Sequence, residues 1–198
     1  MGIITSTNVL WAQRRAMMSA SPKIDRFLIY RLPQPTVFNG TAEEPINSGV
    51  ALLPTNRAMT VEIDLTPGTF TARKVAFYAG MYASPYYWVG LEFKNSAWAV
   101  ASYDEKIPLT NLSAGKRCRV VIRKEADSNE IEAYCYDGET LVSGSLTDSR
   151  ITSDNPMIVG GYSPNSTTMV FVGTISEFSA YSRAKTDAEV NRFLYGLT

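Results

Sequence analysis

The stretch Phe171 to Thr198, FVGTISEFSAYSRAKTDAEVNRFLYGLT, decides the fold. Residues alternate through Val170, Val172, Thr174, Ser176 and Phe178 in one frame and through Phe171, Gly173 and Ile175 in the other, which predicts one long, partly buried strand. Ser182 to Lys185 break that pattern. Thr186-Asp187-Ala188-Glu189 then places a hydroxyl at an N-cap and a carboxylate three residues later, the arrangement of a capping box. Asp187 adds negative charge at the positive end of the helix dipole. In the short helix that follows, Val190, Phe193 and Leu194 recur at spacings of three and four, so one face docks. Strand, turn and capped helix form a closing unit.

Working outward, alternating runs recur from Thr36 onward at the short, even spacing of an all-β sandwich, with no alternation of strands and helices. They fall near 36–39, 46–52, 58–66, 73–81, 86–93, 96–103, 116–124, 130–137, 140–147, 156–162 and 169–181. Turn chemistry separates most of them: Pro67-Gly68, Lys94-Asn95-Ser96, Asp127-Ser128-Asn129, Asp137-Gly138 and Ser163-Pro164-Asn165.

Residues 1–35 read differently and form an N-terminal arm ahead of the sandwich, residues 36–198. In the arm, Val9 to Met18 predicts a short helix with Leu10, Trp11, Met17 and Met18 as its apolar positions, and Lys23 to Arg31 predicts a strand. Pro33 and Pro35 stop that strand. The arm either packs on its own domain as an outer strand or serves as an assembly arm on a neighbour.

The motifs resemble a known family. Gly173-Thr174-Ile175-Ser176-Glu177-Phe178, then Tyr181-Ser182-Arg183-Ala184, then Thr186 to Val190 resemble the closing signature of laminin-G-like domains of the concanavalin A-like lectin/glucanase superfamily. Phe38-Asn39-Gly40-Thr41, Ile46-Asn47-Ser48-Gly49-Val50 and Met59 to Leu65 are similar to that family's opening strands. The resemblance spans Thr36 to Leu197 and implies an antiparallel jelly-roll β-sandwich with a short C-terminal helix. It implies fold far more than function, because the superfamily hosts lectins, glycosidases, protein-binding modules and virion parts.

Composition narrows the function. The chain has 198 residues, 45% of them hydrophobic, enough for the core of one sandwich domain. Lys plus Arg equals Asp plus Glu at 19 each, which argues against a nucleic-acid partner. There is no histidine, so histidine-dependent hydrolase triads are excluded. No apolar run has the length of a membrane span. Arg14-Arg15 follow the apolar Val9 to Ala12 where a secretory signal would have them precede it, so synthesis in a cytoplasm is expected. Cys118 and Cys135, both in apolar-facing sets of neighbouring predicted strands, are then expected to be reduced, buried thiols.

Glucanases of the superfamily carry their acids on alternate residues of one strand, and Glu62 and Asp64 share a face here. The third acid implied by that resemblance, near Thr66 or Pro67, is missing. The pair therefore reads as a solvated strand face, and no catalytic residue is assigned. Loop acids Asp104, Glu105, Asp148 and Asp154 show no calcium-loop spacing, so neither a metal nor a cofactor is expected. The suggestive chemistry is aromatic: Tyr82, Tyr86, Tyr87 and Trp88 surround a proline turn, and Trp98 and Tyr103 lie on the strand that follows. Stiff rings with polar edges suit stacking on sugars, while alternation sends some of them inward as core.

Three functions are consistent with these observations. The first is a non-enzymatic, virion-associated structural or adhesion protein, such as a bacteriophage tail or capsid-surface component, made in the host cytoplasm and carried in the virion. Its partners would be other virion subunits and cell-surface glycans, with homo-oligomerisation open. The alternative is a carbohydrate-binding module of a bacterial protein. The third is a glycan-active hydrolase.

Overall fold

A computed structural model describes residues 25–41, 44–53, 57–81, 88–103, 105–148, 153–163 and 168–197. The assembly-arm positions Leu10, Trp11, Met17 and Met18 lie outside the described residues. Among the described residues, thirteen strands and one helix follow in order: β1 Leu28–Arg31, β2 Thr36–Asn39, β3 Ile46–Leu53, β4 Met59–Pro67, β5 Lys74–Gly80, β6 Trp88–Lys94, β7 Ala97–Ser102, β8 Lys106–Pro108, β9 Cys118–Lys124, β10 Glu130–Tyr136, β11 Leu141–Thr147, β12 Ser153–Val159, β13 Val172–Tyr181 and α1 Asp187–Tyr195. They build two packed antiparallel sheets. Sheet A runs β1-β13-β4-β9-β10-β11, with β2 also paired to β13, and sheet B runs β3-β12-β5-β6-β7-β8.

The expected long terminal strand is present, and both of its frames are used in different halves. Ile175 pairs with Leu65, but Glu177 pairs with Asp64, so a bulge at Ser176 shifts the register by one residue. Phe171 and Ile175 point inward before the bulge; Phe178 and Ala180 point inward after it. Along one edge of β13, β2 pairs with the first half and β1 with the second. Of the strand predicted over Lys23 to Arg31, Leu28–Arg31 is thus an edge strand of sheet A, while Asp25 to Phe27 form the turn before it. The three-residue β8 was not anticipated, because Lys-Ile-Pro carries too little alternation to stand out.

The core lies between the sheets. Phe178 of sheet A meets Phe77 of sheet B at a ring distance of 5.5 Å, and Trp98 of sheet B meets Phe171 at 6.1 Å. Phe38, Phe77, Phe171 and Phe178 are fully buried, each contributing about 1.5–3 kcal/mol by removal from water. Cys118 and Cys135 are buried free thiols in the same core.

Helix α1 begins with the expected capping box: the Thr186 hydroxyl accepts from the Glu189 backbone N–H and the Glu189 carboxylate reaches back to the Thr186 backbone N–H. Val190 and Leu194 bury against Val121 on the outer face of sheet A. Gly196, at φ 67°, ends the helix in the left-handed conformation that favours glycine. Arg183 clamps this unit to the start of the described chain by pairing with both Asp25 and Glu189.

That clamp has a pH signature. The Arg183 guanidinium holds the Glu189 carboxyl down at about 2, against about 4.3 for an unfolded glutamate. The folded value lies below the unfolded one, so the contact stabilises fully above the unfolded value and is lost as the pH falls through that window. The melting temperature should therefore fall more steeply for the wild type than for Arg183→Gln as the pH is lowered from about 5 to about 2. Parallel curves would remove Arg183 from the acid response. Thr186→Ala should cost about 1 kcal/mol in chemical denaturation.

Candidate functional site

The outer face of sheet A is not the solvated surface expected for Glu62 and Asp64. Both are buried, at 3% and 2% exposure. Lys185 donates to Glu62 at 2.6 Å, and its ammonium lies 3.7 Å from the Tyr181 ring centroid. Arg117 grips Asp64 with two hydrogen bonds, at 2.8 and 2.7 Å, and Arg119 adds a third at 3.1 Å. Burial pushes the Glu62 carboxyl above its ordinary range, with Lys185 opposing the shift. Alternation correctly put the two acids on one face. It could not show that the turn after β13 and α1 fold across that face and turn it into an interior. A cavity of about 690 Å³ remains beside the helix, walled by charges of both signs such as Glu62, Arg119, Glu177 and Lys185. Asp25, Glu62, Arg183, Lys185 and Glu189 in its wall are paired with one another and hold the covering segment down.

The outer face of sheet B is built differently. Strands β6 and β7 pair Glu92 with Ala99 and Gly90 with Ala101, and β8 sets Lys106 opposite Ala101. A trough of small side chains therefore runs across the middle strands. Tyr78 faces the same side from β5, opposite Gly90, and Trp88 stacks on it at 5.3 Å with the rings 22° apart. Tyr162 closes edge-on against Tyr78 at 4.6 Å. Tyr103, 52% exposed, and Lys106 stand on the opposite rim. The cavity between Glu92, Ala101, Tyr103 and Lys106 measures about 290 Å³. Glu92, buried at the floor, accepts from Arg73 Nε at 2.7 Å and also contacts Arg73 Nη2, and the Arg73 guanidinium lies 5.9 Å from the Tyr162 ring centroid. Gly90 is required here: a Cβ at that position would lie 2.6 Å from the Phe77 carbonyl oxygen.

The aromatic residues singled out in the sequence separate in space. Tyr82, Tyr86 and Tyr87 lie outside the described residues. Trp88 is 8% exposed and belongs to the outer face of sheet B, where it forms part of the trough's aromatic wall. Trp98 is 3% exposed and points to the opposite face, into the core with Phe70, Phe93 and Phe171. Trp88 and Trp98 sit on neighbouring strands, but one faces outward and the other inward. Tyr103 alone of the described three offers a largely exposed ring. Sequence reading missed Tyr78, Tyr162, Glu92, Arg73 and Lys106. Alternation in Lys74 to Gly80 carried a signal for Tyr78; Tyr162 closes the run predicted over 156–162 and lies beyond the observed end of β12 at Val159. Among the loop acids weighed as calcium ligands, Asp148 is buried and Glu105 exposed, and no group of three or more candidate metal ligands gathers among the described residues.

Stability should separate these roles. Trp88→Ala should destabilise by about 3–5 kcal/mol, as the loss of a buried ring does, whereas Tyr103→Ala should stay within about 0.5 kcal/mol. Gly90→Ala should cost about 1–3 kcal/mol through overpacking against Phe77. Chemical denaturation of the three variants checks the order, and a severe loss for Tyr103→Ala would make that ring structural.

No protein-family model matches the sequence, and no curated protein matches it. Solved structures do. Domain 4 of AbnA, a GH43 extracellular arabinanase from Geobacillus stearothermophilus solved with arabinotriose, aligns with a TM-score of 0.58 at 20% identity over 81% of this chain and 76% of that one. The CBM40 of the Ruminococcus gnavus IT-sialidase, bound to α2,3-sialyllactose, aligns with a TM-score of 0.56 at 14% identity over 85% of this chain and 95% of that one. The NanB sialidase from Streptococcus pneumoniae aligns with a TM-score of 0.62 at 14% identity over 82% of this chain, which spans only 27% of the sialidase. At such identities the likeness is one of fold: the chain is an antiparallel β-sandwich like the matched parts of these structures.

Proposed function

We propose that this protein is a non-enzymatic carbohydrate-binding module that takes a glycan across the outer face of sheet B, within a laminin-G-like sandwich of the concanavalin A-like superfamily. The observation that carries this reading is the trough's cavity, in which the small side chains Ala97, Ala99 and Ala101 lie between the exposed Tyr103 ring and the polar Glu92, Glu105 and Lys106. Sugar rings present flat apolar patches beside hydroxyls, so they match a surface that combines ring faces with charged and hydroxyl groups. The exposed Tyr103 supplies the ring face, backed by half-buried Tyr162 and by Tyr78 and Trp88, which are buried beneath the surface; Glu92, Lys106 and the Tyr103 hydroxyl supply the polar contacts. Two of the similar structures are named as complexes with arabinotriose and sialyllactose, which supports the same ligand class here.

The non-enzymatic part rests on what has become of the superfamily-like acids. Glu62 and Asp64 are neutralised by Lys185, Arg117 and Arg119, which leaves neither carboxylate available as a paired acid and base at a sugar. Between the readings raised by the sequence, the similar structures named above support the carbohydrate-binding alternative better than the virion-associated one.

The test is binding of arabinotriose and sialyllactose, followed by a broad glycan array, with the wild type and the rim variants Tyr103→Ala and Lys106→Ala. Each rim variant should keep the wild-type melting temperature and lose at least about tenfold in affinity, about 1.4 kcal/mol. A wild type that retains nothing on the array, or rim variants that bind as well as it does, would overturn the proposal.

A further inference from the structure

A second concavity lies at the opposite end of β6 and β7 from Trp88 and Tyr103, between the β4–β5 connection, the β6–β7 turn and the loop after β8. It encloses about 430 Å³, within the roughly 300–1,000 Å³ of small-molecule sites. Its wall is aromatic: Phe70, Phe93 and Trp98 meet edge to face, with ring distances of 4.8, 5.7 and 5.8 Å. Phe70 and Phe93 are only half-buried, so their rings are partly open to the cleft. The rim carries four hydroxyls, Thr69, Ser96, Thr110 and Ser113, all exposed and none hydrogen-bonded through its side chain to a described residue. In contrast to the two concavities described above, no charged side chain among the described residues lines it.

One rim residue sits at a backbone position that suits another amino acid. Asn95 and Ser96 form the two-residue turn between Lys94 and Ala97, with φ values of 52° and 63°. A turn with both central residues at positive φ favours glycine second, and a serine there sacrifices stability for its side chain. The strain does not define a site by itself. It does put a costly hydroxyl on the lip of an aromatic cleft.

We infer that this end cleft is a second, independent binding site for one residue of a neutral glycan. The rings would take the apolar face of the sugar and the four hydroxyls its equatorial groups. An uncharged wall offers no partner for a carboxylate or ammonium, and desolvating an unpaired charge against it would be unfavourable. Hydroxyls that both donate and accept match a ligand made of hydroxyls. The inference rests on the glycan-binding reading for its ligand class and on the cleft's own chemistry for its position. With the trough along the outer face of β7 and the cleft at the turn end of the same strands, adjoining it at Ala97 and Pro108, one molecule would grip two points of a polysaccharide, raising its avidity without any tight single contact.

The experiment is a backbone amide chemical-shift titration of the full chain with maltotriose, cellotriose and arabinotriose in turn, and with phenol as a purely aromatic probe. At least one trisaccharide should shift the amides of Thr69, Ser96, Thr110 and Ser113 as a group, separately from those of Tyr103 and Lys106. Ser96→Gly should melt at the same temperature or higher, because it relaxes the turn, yet weaken the cleft's affinity for that trisaccharide. Ser96→Gly combined with Ser113→Ala should weaken it at least about tenfold. Shifts confined to Tyr103 and Lys106 would overturn the second site and leave the trough intact. Shifts confined to the cleft would sustain the second site and overturn the trough. Cleft shifts with phenol but with none of the sugars would overturn the neutral-glycan assignment.

Discussion

The pairing of β13 is the constraint on which the rest depends. This one strand is hydrogen-bonded to β4 along nearly its whole length and to β1 and β2 on its other edge. Without it, sheet A would be the four strands β4, β9, β10 and β11, and β1 and β2 would have no partner. The bulge at Ser176 lets a single strand keep an apolar face inward in both halves although the chain's alternation slips by one residue. Because the strand's partners, β1, β2 and β4, all precede Gly68 in the chain, its closure is a long-range event. A fold of this kind is expected to form slowly and late.

Closing the sheet also settles which surface is available for recognition. The turn after β13 brings Arg183 and Lys185 over β4, and the helix lays Val190 and Leu194 on β9. Glu62 and Asp64 are thereby taken out of water with cations already attached. Removing one partner from such a pair leaves a buried charge uncompensated, which is why these pairs hold the covering segment in one place more than they add net stability. On the other sheet the described cover is partial: Tyr162 and Met169 pack over Val75, Tyr78 and Ile158, and Tyr103 and Lys106 beyond them stay exposed. Its outer face keeps a trough, rings and a polar rim, and that asymmetry directs the functional reading to sheet B.

The two clefts of sheet B differ in chemistry because they sit at different positions on the same hairpin. Across the middle of β6 and β7 the outward positions are Gly90, Glu92, Ala99 and Ala101, so the surface is recessed and carries charge. At the turn end the inward positions Phe93 and Trp98 reach the open edge of the core, joined by Phe70 from the neighbouring connection. An inward-facing aromatic can thus contribute to a site when its strand ends at the border of the sandwich. That is the structural meaning of Trp98, which the sequence had grouped with Trp88 and Tyr103.

Much of the fold was legible in the sequence. The alternation of Phe171 to Tyr181, the capping box at Thr186 to Glu189 and the turn residues between strands are local signals, and each depends on interactions a few residues apart. They determined an antiparallel sandwich closed by a helix, with strand positions close to those observed. The pairing partners and the covering of each face are set by residues more than a hundred positions away, as when Lys185 meets Glu62 or Phe178 meets Phe77. Periodicity reports that two side chains share a face and is silent on what packs there. The sequence by itself therefore determined the sandwich and the terminal unit. Only the tertiary structure decided that Glu62 and Asp64 are buried, that Trp88 and Trp98 point apart, and that the recessed surface is on sheet B, because each of these follows from which strands and segments meet across the fold.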